Sequence, residues 1–262
     1  NNRMSTYITD SEIMQFNYLK VGESIHVSDE LIMILRKSYD ITDMTDYAFD
    51  ISVGPLVELW GFGLSDKKPS IPDKNIIDEY IENLNIVPFK IISRNKLIKM
   101  KESRIDLSAI AKGYAVDELS NYLISLDLSN HMVDIGGEVY CSGRNKSNQF
   151  WSIGIQYPKE YVHNTPIDLI LLSNKAVATS GNYRNRVVID GVSYAHIINP
   201  KTGYPVTNDI VSTTVVTDSC IIADAYATAL MVMAKEKGKR FIESKDNAEA
   251  IIFFKDGEGI KS

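Results

Sequence analysis

The chain has 262 residues, 44% of them apolar and 24% charged, with a net charge of −6 at neutral pH. That is long enough to bury a sizeable core, and the composition is that of an ordinary globular protein rather than a disordered one. The mildly acidic balance, with Lys and Arg scattered along the chain, argues against nucleic acid as the main partner, and no apolar run reaches the roughly 20 residues a spanning helix needs.

The sequence begins NNRMSTY, without an initiator Met or a basic n-region with an apolar stretch behind it, and reads as processed or truncated. After an irregular start, SDELIMILRKSYDITDMT carries Leu31, Ile34, Leu35 and Ile41 at helical spacing behind a Ser28 cap, which predicts an amphipathic helix. FDISVGPLVELWGFG predicts a buried turn and a short helix. SDKKPSIPDKN, polar and punctuated by proline, predicts an exposed connection, followed by a short helix near Ile76 to Leu84. From Ile86 the texture changes to short strands. These are expected in FKIISRNKLIKM, HMVDIGGEVYCSGR, FWSIGIQY, IDLILLSN, KAVATSGN, RNRVVIDGVSYAHIINP, DIVSTTVVT and AEAIIFFKD, with helices over DLSAIAKGYAVDELSNYLISL and ADAYATALMVMA. Without a regular βαβ alternation, this order predicts an α+β fold of mostly antiparallel or mixed sheets packed with several helices in two closely joined lobes. Cys141 and Cys220 lack a CxxC spacing and read as core thiols.

No G-x-G-x-x-G follows a strand and no G-x-x-x-x-G-K-[ST] occurs, which closes the Rossmann and P-loop routes to a phosphate. His26, His131, His163 and His196 never fall at H-x-x-x-H spacing, which argues against zinc. In ADAYATALMVMA, Asp224 and Thr228 fall one helical turn apart on one face. An ionised Asp among Ile221, Ile222, Leu230 and Met231 is costly unless an Arg, a capping role or a metal compensates. Oxygen donors of this kind suit Mg²⁺ or Ca²⁺ rather than zinc. Spacing alone favours the plainer alternative, an acid in the first helical turns that faces solvent or backbone N–H groups.

His196, in YAHIINPKTGYPV, has the chemistry of a general base, although a lone strand histidine is as a rule structural. Gly136 and Gly137 in VDIGGEVYCSGR permit a tight bend and a close backbone approach. In RIDLSAIAKGYAVDEL, Asp106 is placed to cap the helix and Ala109, Ala111 and Ala115 keep one face small, with Lys112-Gly113 interrupting it early. That fits either a ligand at the helix N-terminus or a tightly packed helix pair.

Taken in order, MSTYITDSEIMQFN, TDYAFDISVGPLVELWGFG, IDLSAIAKGYAVDEL, VDIGGEVYCSGRN, AVATSGNYRN, HIINPKTGYPV and ADAYATAL resemble, from Met4 to about Leu230, the FAD:protein FMN transferases, the ApbE-type flavin transferases. The resemblance implies a single ApbE-like flavin transferase domain over residues 1–262. In the family a further strand pair with a Met-Gly-Thr motif precedes these segments, and this sequence starts beyond it. The implied activity is Mg²⁺-dependent transfer of FMN from FAD to a Thr or Ser hydroxyl of a target protein, such as an electron-transfer subunit, with release of AMP.

Residue by residue, the resemblance implies a metal site at Asp224, Thr228 and the carbonyl of Ala109. It implies a flavin site at Tyr7, Ala48, Phe49, Asp50, Asp106, Lys112 and the backbone around Ile198. His196 matches the family's functional histidine, which activates the acceptor hydroxyl or stabilises charge on the phosphoryl group, with Asp224 or Asp106 able to share the role of base. Three positions depart from the family pattern: Ala195-His196-Ile197-Ile198-Asn199-Pro200 stands where Ser-His-Ile-Ile-Asp-Pro is usual, and Asn182 follows Ser-Gly where an acid is frequent. An extracytoplasmic, lipid-anchored setting carries over as an expectation. The same site with water as nucleophile would make an FAD pyrophosphatase, and without turnover a flavin-binding protein.

Overall fold

The structure, a computed structural model, describes residues 3–63, 69–84, 87–158, 166–183, 186–257 and 259–262. His163, Ile86, the first residues of SDKKPSIPDKN and the last two of AVATSGNYRN lie outside the described residues. In chain order the elements are α1 (Glu12–Tyr18), β1 (Ser24–His26), α2 (Asp29–Met44), α3 (Gly54–Leu59), α4 (Lys74–Leu84), β2 (Phe89–Ser93), β3 (Lys96–Lys99) and α5 (Ala111–Ser125). Then come β4 (His131–Ile135), β5 (Glu138–Ser142), β6 (Trp151–Gln156), β7 (Pro166–Leu172), β8 (Lys175–Gly181), β9 (Arg186–Ile189) and β10 (Val192–Ala195). The chain ends with β11 (Ile210–Thr217), α6 (Cys220–Val232), α7 (Lys235–Glu243), β12 (Ala248–Asp256) and β13 (Gly259–Lys261). No helix among the described residues is long and apolar enough to cross a membrane.

The fold is α+β, and every described strand pairing is antiparallel. The chain divides into two compact units, residues 1–111 with 186–206 and residues 112–185 with 207–262.

In the first unit, Ser28 caps α2 by accepting the Leu31 N–H at 3.2 Å, and the predicted residues Leu31, Ile34, Leu35 and Ile41 are buried. Asp29 and Glu30 in its first turn complement the positive end of the helix dipole. The expected irregular start is instead helix α1. Ser11 caps it through the Met14 N–H, and burial of Ile13, Met14 and Phe16 supplies what seven residues cannot supply by propensity alone.

At the end of α2, Asp46 and Tyr47 take successive left-handed φ angles of 50° and 58°, which turns the chain back towards Ala48, Phe49 and Asp50. The core beyond is built on Leu56, Trp60, Ile77 and Ile198, and the Trp60 indole donates to the Gly203 carbonyl at 2.8 Å. Elsewhere in this unit, the Asn17 amide grips the backbone of Ile105 in both directions, donating to its carbonyl at 2.9 Å and accepting its N–H at 2.8 Å. Buried Lys99 donates to the Asn17 carbonyl at 2.8 Å. This clamp fixes the backbone at Ile105, the residue before Asp106.

The second unit is organised by a six-stranded sheet of order β13-β12-β11-β8-β5-β4. β11 is central and buried along nearly its whole length, and α6 packs against β8 and β11. A β6–β7 hairpin adds Leu172 to a cluster with Val139, Cys141 and Val177. Both cysteines are free and buried.

Further local expectations need correction. α5 begins at Ala111, so Asp106 does not cap it and Gly113 lies inside it rather than interrupting it. α7 was not expected, because KEKGKRFIE is mostly charged. Tertiary packing makes it a helix, burying Ile242 and bringing Gly238 close to Leu230.

Candidate functional site

In the second unit the site grows out of one helix pair. Asp224 is the fifth residue of α6, a helix apolar almost all round, and is 2% exposed. It therefore faces neither solvent nor the N–H groups of its own first turn. Its Oδ2 instead accepts the N–H of Gly113 at 3.0 Å. Gly113 is the third residue of α5, where backbone N–H groups have no partner inside their own helix. The acid thus caps a neighbouring helix and sits at the positive end of that helix's dipole.

The approach is close enough to demand glycine: a Cβ at position 113 would fall 2.3 Å from the Cys220 carbonyl oxygen and 2.8 Å from Ile221 Cα. One turn further along α5 the arrangement is reciprocated. Asp117 accepts the N–H groups of Cys220 at 2.7 Å and Ile221 at 3.0 Å, with the Ser219 hydroxyl at 2.7 Å, and so caps α6. α5 and α6 thus meet closely at Gly113 and Asp117.

Lys112, beside Gly113, sends its ammonium to 2.7 Å from Glu138 Oε1 and 3.7 Å from Asp224 Oδ1. Burial pushes the Asp224 carboxyl above the ordinary range, with Lys112 and the Gly113 N–H opposing. Burial, and then the nearby Asp224 charge, does the same to Glu138. Burial works against the Lys112 ammonium, but Asp224 and Glu138 outweigh it and hold its pKa above the usual lysine value. Thr228, one turn after Asp224, is half-buried, and its hydroxyl lies 3.1 Å from the Ser180 hydroxyl on β8.

This donor chemistry fits a hard divalent cation. Asp224 Oδ1 has the Lys112 ammonium only at 3.7 Å, beyond hydrogen-bond reach, and Thr228 adds a neutral oxygen. Among the described residues no three His, Cys, Asp or Glu side chains gather as a metal cluster. A cation here would rely on few carboxylates and on other oxygens, as Mg²⁺ bound with substrate phosphates does.

In the first unit, two short segments of like chemistry meet. Asp50 accepts the Ser52 N–H at 2.8 Å and its hydroxyl at 2.5 Å, and Asp106 does the same with Ser108 at 2.9 and 2.5 Å. The Asp106 N–H donates to the Ile51 carbonyl at 2.7 Å, which ties the two turns together. Burial raises the Asp50 pKa against its two bonds to Ser52. Ala48 and Phe49 are buried beside it, whereas Tyr7 is 73% exposed. Ala109, half-buried, lies in the turn that leads into α5.

His196 lies just past β10, with its ring edge-on to Phe62 at 6.5 Å between centroids. Ile198 is buried and bridges to Pro205. Two of the departures from the family pattern, Asn199 and Asn182, keep local order. Asn199 accepts the Lys201 N–H at 2.9 Å, a bond an Asp makes equally well. The Asn182 amide donates to the Ile210 carbonyl at 2.8 Å, which a carboxylate cannot do.

The structure therefore brings Lys112 and Asp224 together in one unit and Asp50 and Asp106 together in the other. Glu138 and Asp117 belong to the site region and carry no sequence expectation, and Gly113, read from sequence as an interruption, is the contact point of the two helices. A signal existed for Glu138, a lone acid at the start of the apolar run Val139-Tyr140-Cys141.

Known proteins resemble the chain over nearly all of its length. The ApbE family profile matches residues 1–252. An FAD:protein FMN transferase of Vibrio cholerae is 38% identical over 100% of this chain and 78% of its own, and one of Escherichia coli (strain K12) is 32% identical over 99% and 74%. Among solved structures, the flavin transferase ApbE from Vibrio cholerae superposes with a TM-score of 0.88 at 37% identity, covering 100% of this chain and 82% of that one. The ApbE protein of Thermotoga maritima does so with a TM-score of 0.88 at 31% identity, covering 99% and 84%. With a family profile spanning nearly all of its length and relatives of this similarity, the chain belongs to the ApbE family.

Proposed function

We propose that this chain is an FAD:protein FMN transferase that moves FMN from FAD onto a Thr or Ser hydroxyl of an acceptor protein, through a phosphoester bond, and releases AMP. The names of its relatives support this reading. The observation that carries it is Asp224, a carboxylate 2% exposed, set against Lys112 and the Gly113 N–H with Thr228 one turn on. In the reaction the acceptor oxygen bonds to the phosphorus of the FMN half. The pyrophosphate P–O bond breaks with its electron pair leaving on AMP, and the hydroxyl proton is taken up by a base.

Asp224 and Thr228 would hold Mg²⁺, which when bound screens the diphosphate charge and acts as a Lewis acid. Lys112, whose side chain is partly exposed, supplies positive charge to phosphate oxygens as charge builds there. His196 is assigned the hydroxyl proton, since an imidazole accepts protons near neutral pH. Asp50, Asp106, Ala48, Phe49, Tyr7 and the backbone at Ile198 are assigned to the flavin. An extracytoplasmic, lipid-anchored setting and an electron-transfer subunit as acceptor belong to the same reading.

Purified protein given FAD, Mg²⁺ and an acceptor protein should release AMP and add a covalent flavin mass to the acceptor, and Asp224→Ala should abolish both while the far-UV circular dichroism is retained. AMP without the mass increment identifies an FAD pyrophosphatase instead. Tight FAD binding without AMP identifies a flavin-binding protein.

A further inference from the structure

One buried polar atom beside this site has no partner. Glu138, 4% exposed at the start of β5, uses only one carboxylate oxygen: Oε1 meets Lys112 Nζ at 2.7 Å, whereas Oε2 has no hydrogen-bond partner among the described residues. Buried polar atoms are nearly always paired, so an idle carboxylate oxygen asks for a reason. The β4–β5 turn lies against it, since a Cβ on Gly136, at φ +68°, would sit 3.7 Å from Oε2 and 3.8 Å from Lys112 Cδ.

Lys112 faces two buried carboxylates at unequal distances. Its ammonium pairs with Glu138 Oε1 at 2.7 Å and stands 3.7 Å from Asp224 Oδ1. Glu138 thus draws the ammonium aside. Because the Gly113 N–H occupies Oδ2, the oxygen spared by this arrangement is Oδ1. If Glu138 carried no charge, Asp224 would be the stronger attraction, and the ammonium would close on Oδ1.

We propose that Glu138 is a positioning residue for the candidate cation site: it holds the Lys112 ammonium off Asp224 Oδ1, and its idle Oε2 is the acceptor onto which that ammonium shifts when a divalent cation arrives. The proposal rests on the reading of Asp224 as a cation ligand.

The test is a titration of the full chain, without FAD, with Mn²⁺ read by the loss of the free-ion electron paramagnetic resonance signal, with Mg²⁺ as competitor. Glu138→Gln should weaken Mn²⁺ binding on the order of tenfold to a hundredfold, the usual effect of removing a group that orients a metal ligand. Adding Lys112→Met to Glu138→Gln removes the ammonium that has closed on Asp224 and should return the affinity to that of the wild type or better. A merely structural role would lower the melting temperature of both variants and leave the affinity alone.

Unchanged affinity in Glu138→Gln overturns the proposal. So does a loss that persists in the double variant, the result expected if Glu138 were itself a ligand, and so does an absence of Mn²⁺ uptake by the wild-type chain. Asp224→Asn in the same titration separates the two readings. If it leaves Mn²⁺ binding intact, the cation reading falls; if it abolishes binding while Glu138→Gln changes nothing, only the role of Glu138 falls.

Discussion

Replacing Gly113 by Ala should destabilise the protein, against the ordinary rule for helices. In an exposed helix interior the substitution favours folding by about 1 kcal/mol, because Ala loses less backbone freedom than Gly. At position 113 the new Cβ would fall 2.3 Å from the Cys220 carbonyl oxygen, 2.7 Å from its carbonyl carbon and 2.8 Å from Ile221 Cα, all backbone atoms that no side-chain rotation can clear. The two helices must separate, and overpacking of this kind costs about 1–3 kcal/mol. Separation also stretches the Gly113 N–H bond to the buried Asp224 carboxylate, and a hydrogen bond to a charged group contributes about 1.5–3 kcal/mol.

After the helix-propensity gain is subtracted, the net loss is about 2–5 kcal/mol, a drop on the order of 5–15 °C in melting temperature for a chain of this size. Denaturant unfolding followed by circular dichroism and by the fluorescence of Trp151, which packs against the cluster in the same unit, measures it. A variant as stable as the wild type, or more stable by the propensity gain, would refute the close helix approach and with it the capping role of Asp224.

Two further outcomes follow from the same scaffold. Asp117→Ala removes the acceptor for the Cys220 and Ile221 N–H groups and should cost about 1–2 kcal/mol in denaturant unfolding, with a smaller loss for Asp117→Asn, whose amide oxygen still accepts; no loss in either variant would contradict the cap. Burial pushes the Cys141 thiol up to about 12 from its ordinary 9.0, and Cys220 moves in the same direction. The unfolded chain therefore releases these protons first, so stability is fully present below pH 9 and falls as pH rises towards about 12. Unfolding midpoints measured between pH 8 and pH 11 should show this decline, and Cys141→Ala should flatten it.

Much of the local structure is readable from local chemistry. The Ser28 cap and the spacing of Leu31, Ile34, Leu35 and Ile41 place α2, and the strands around Gly136-Gly137 follow from their turn. Elements whose stability comes from distant partners escape such reading: α1 and α7 are too short or too charged to announce themselves, and burial of Phe16 or Ile242 stabilises them. Asp224 shows the same division inside the site. Its oddity in an apolar helix is visible in ADAYATALMVMA, but nothing nearby in sequence says what satisfies it, because Gly113 lies 111 positions away.

By itself, then, the sequence determined the class of the fold, the family and the identity of the acid that breaks the pattern of α6. The reasons are local: caps, periodicity and turn residues act within a few positions, and ordered motifs need no coordinates. Only the tertiary structure decided that Asp224 and Asp117 each cap the other's helix, that Gly113 must be glycine, and that Lys112 leans towards Glu138 rather than Asp224. Those are differences of an ångström between groups far apart in the chain, and they exist only once the helices have packed.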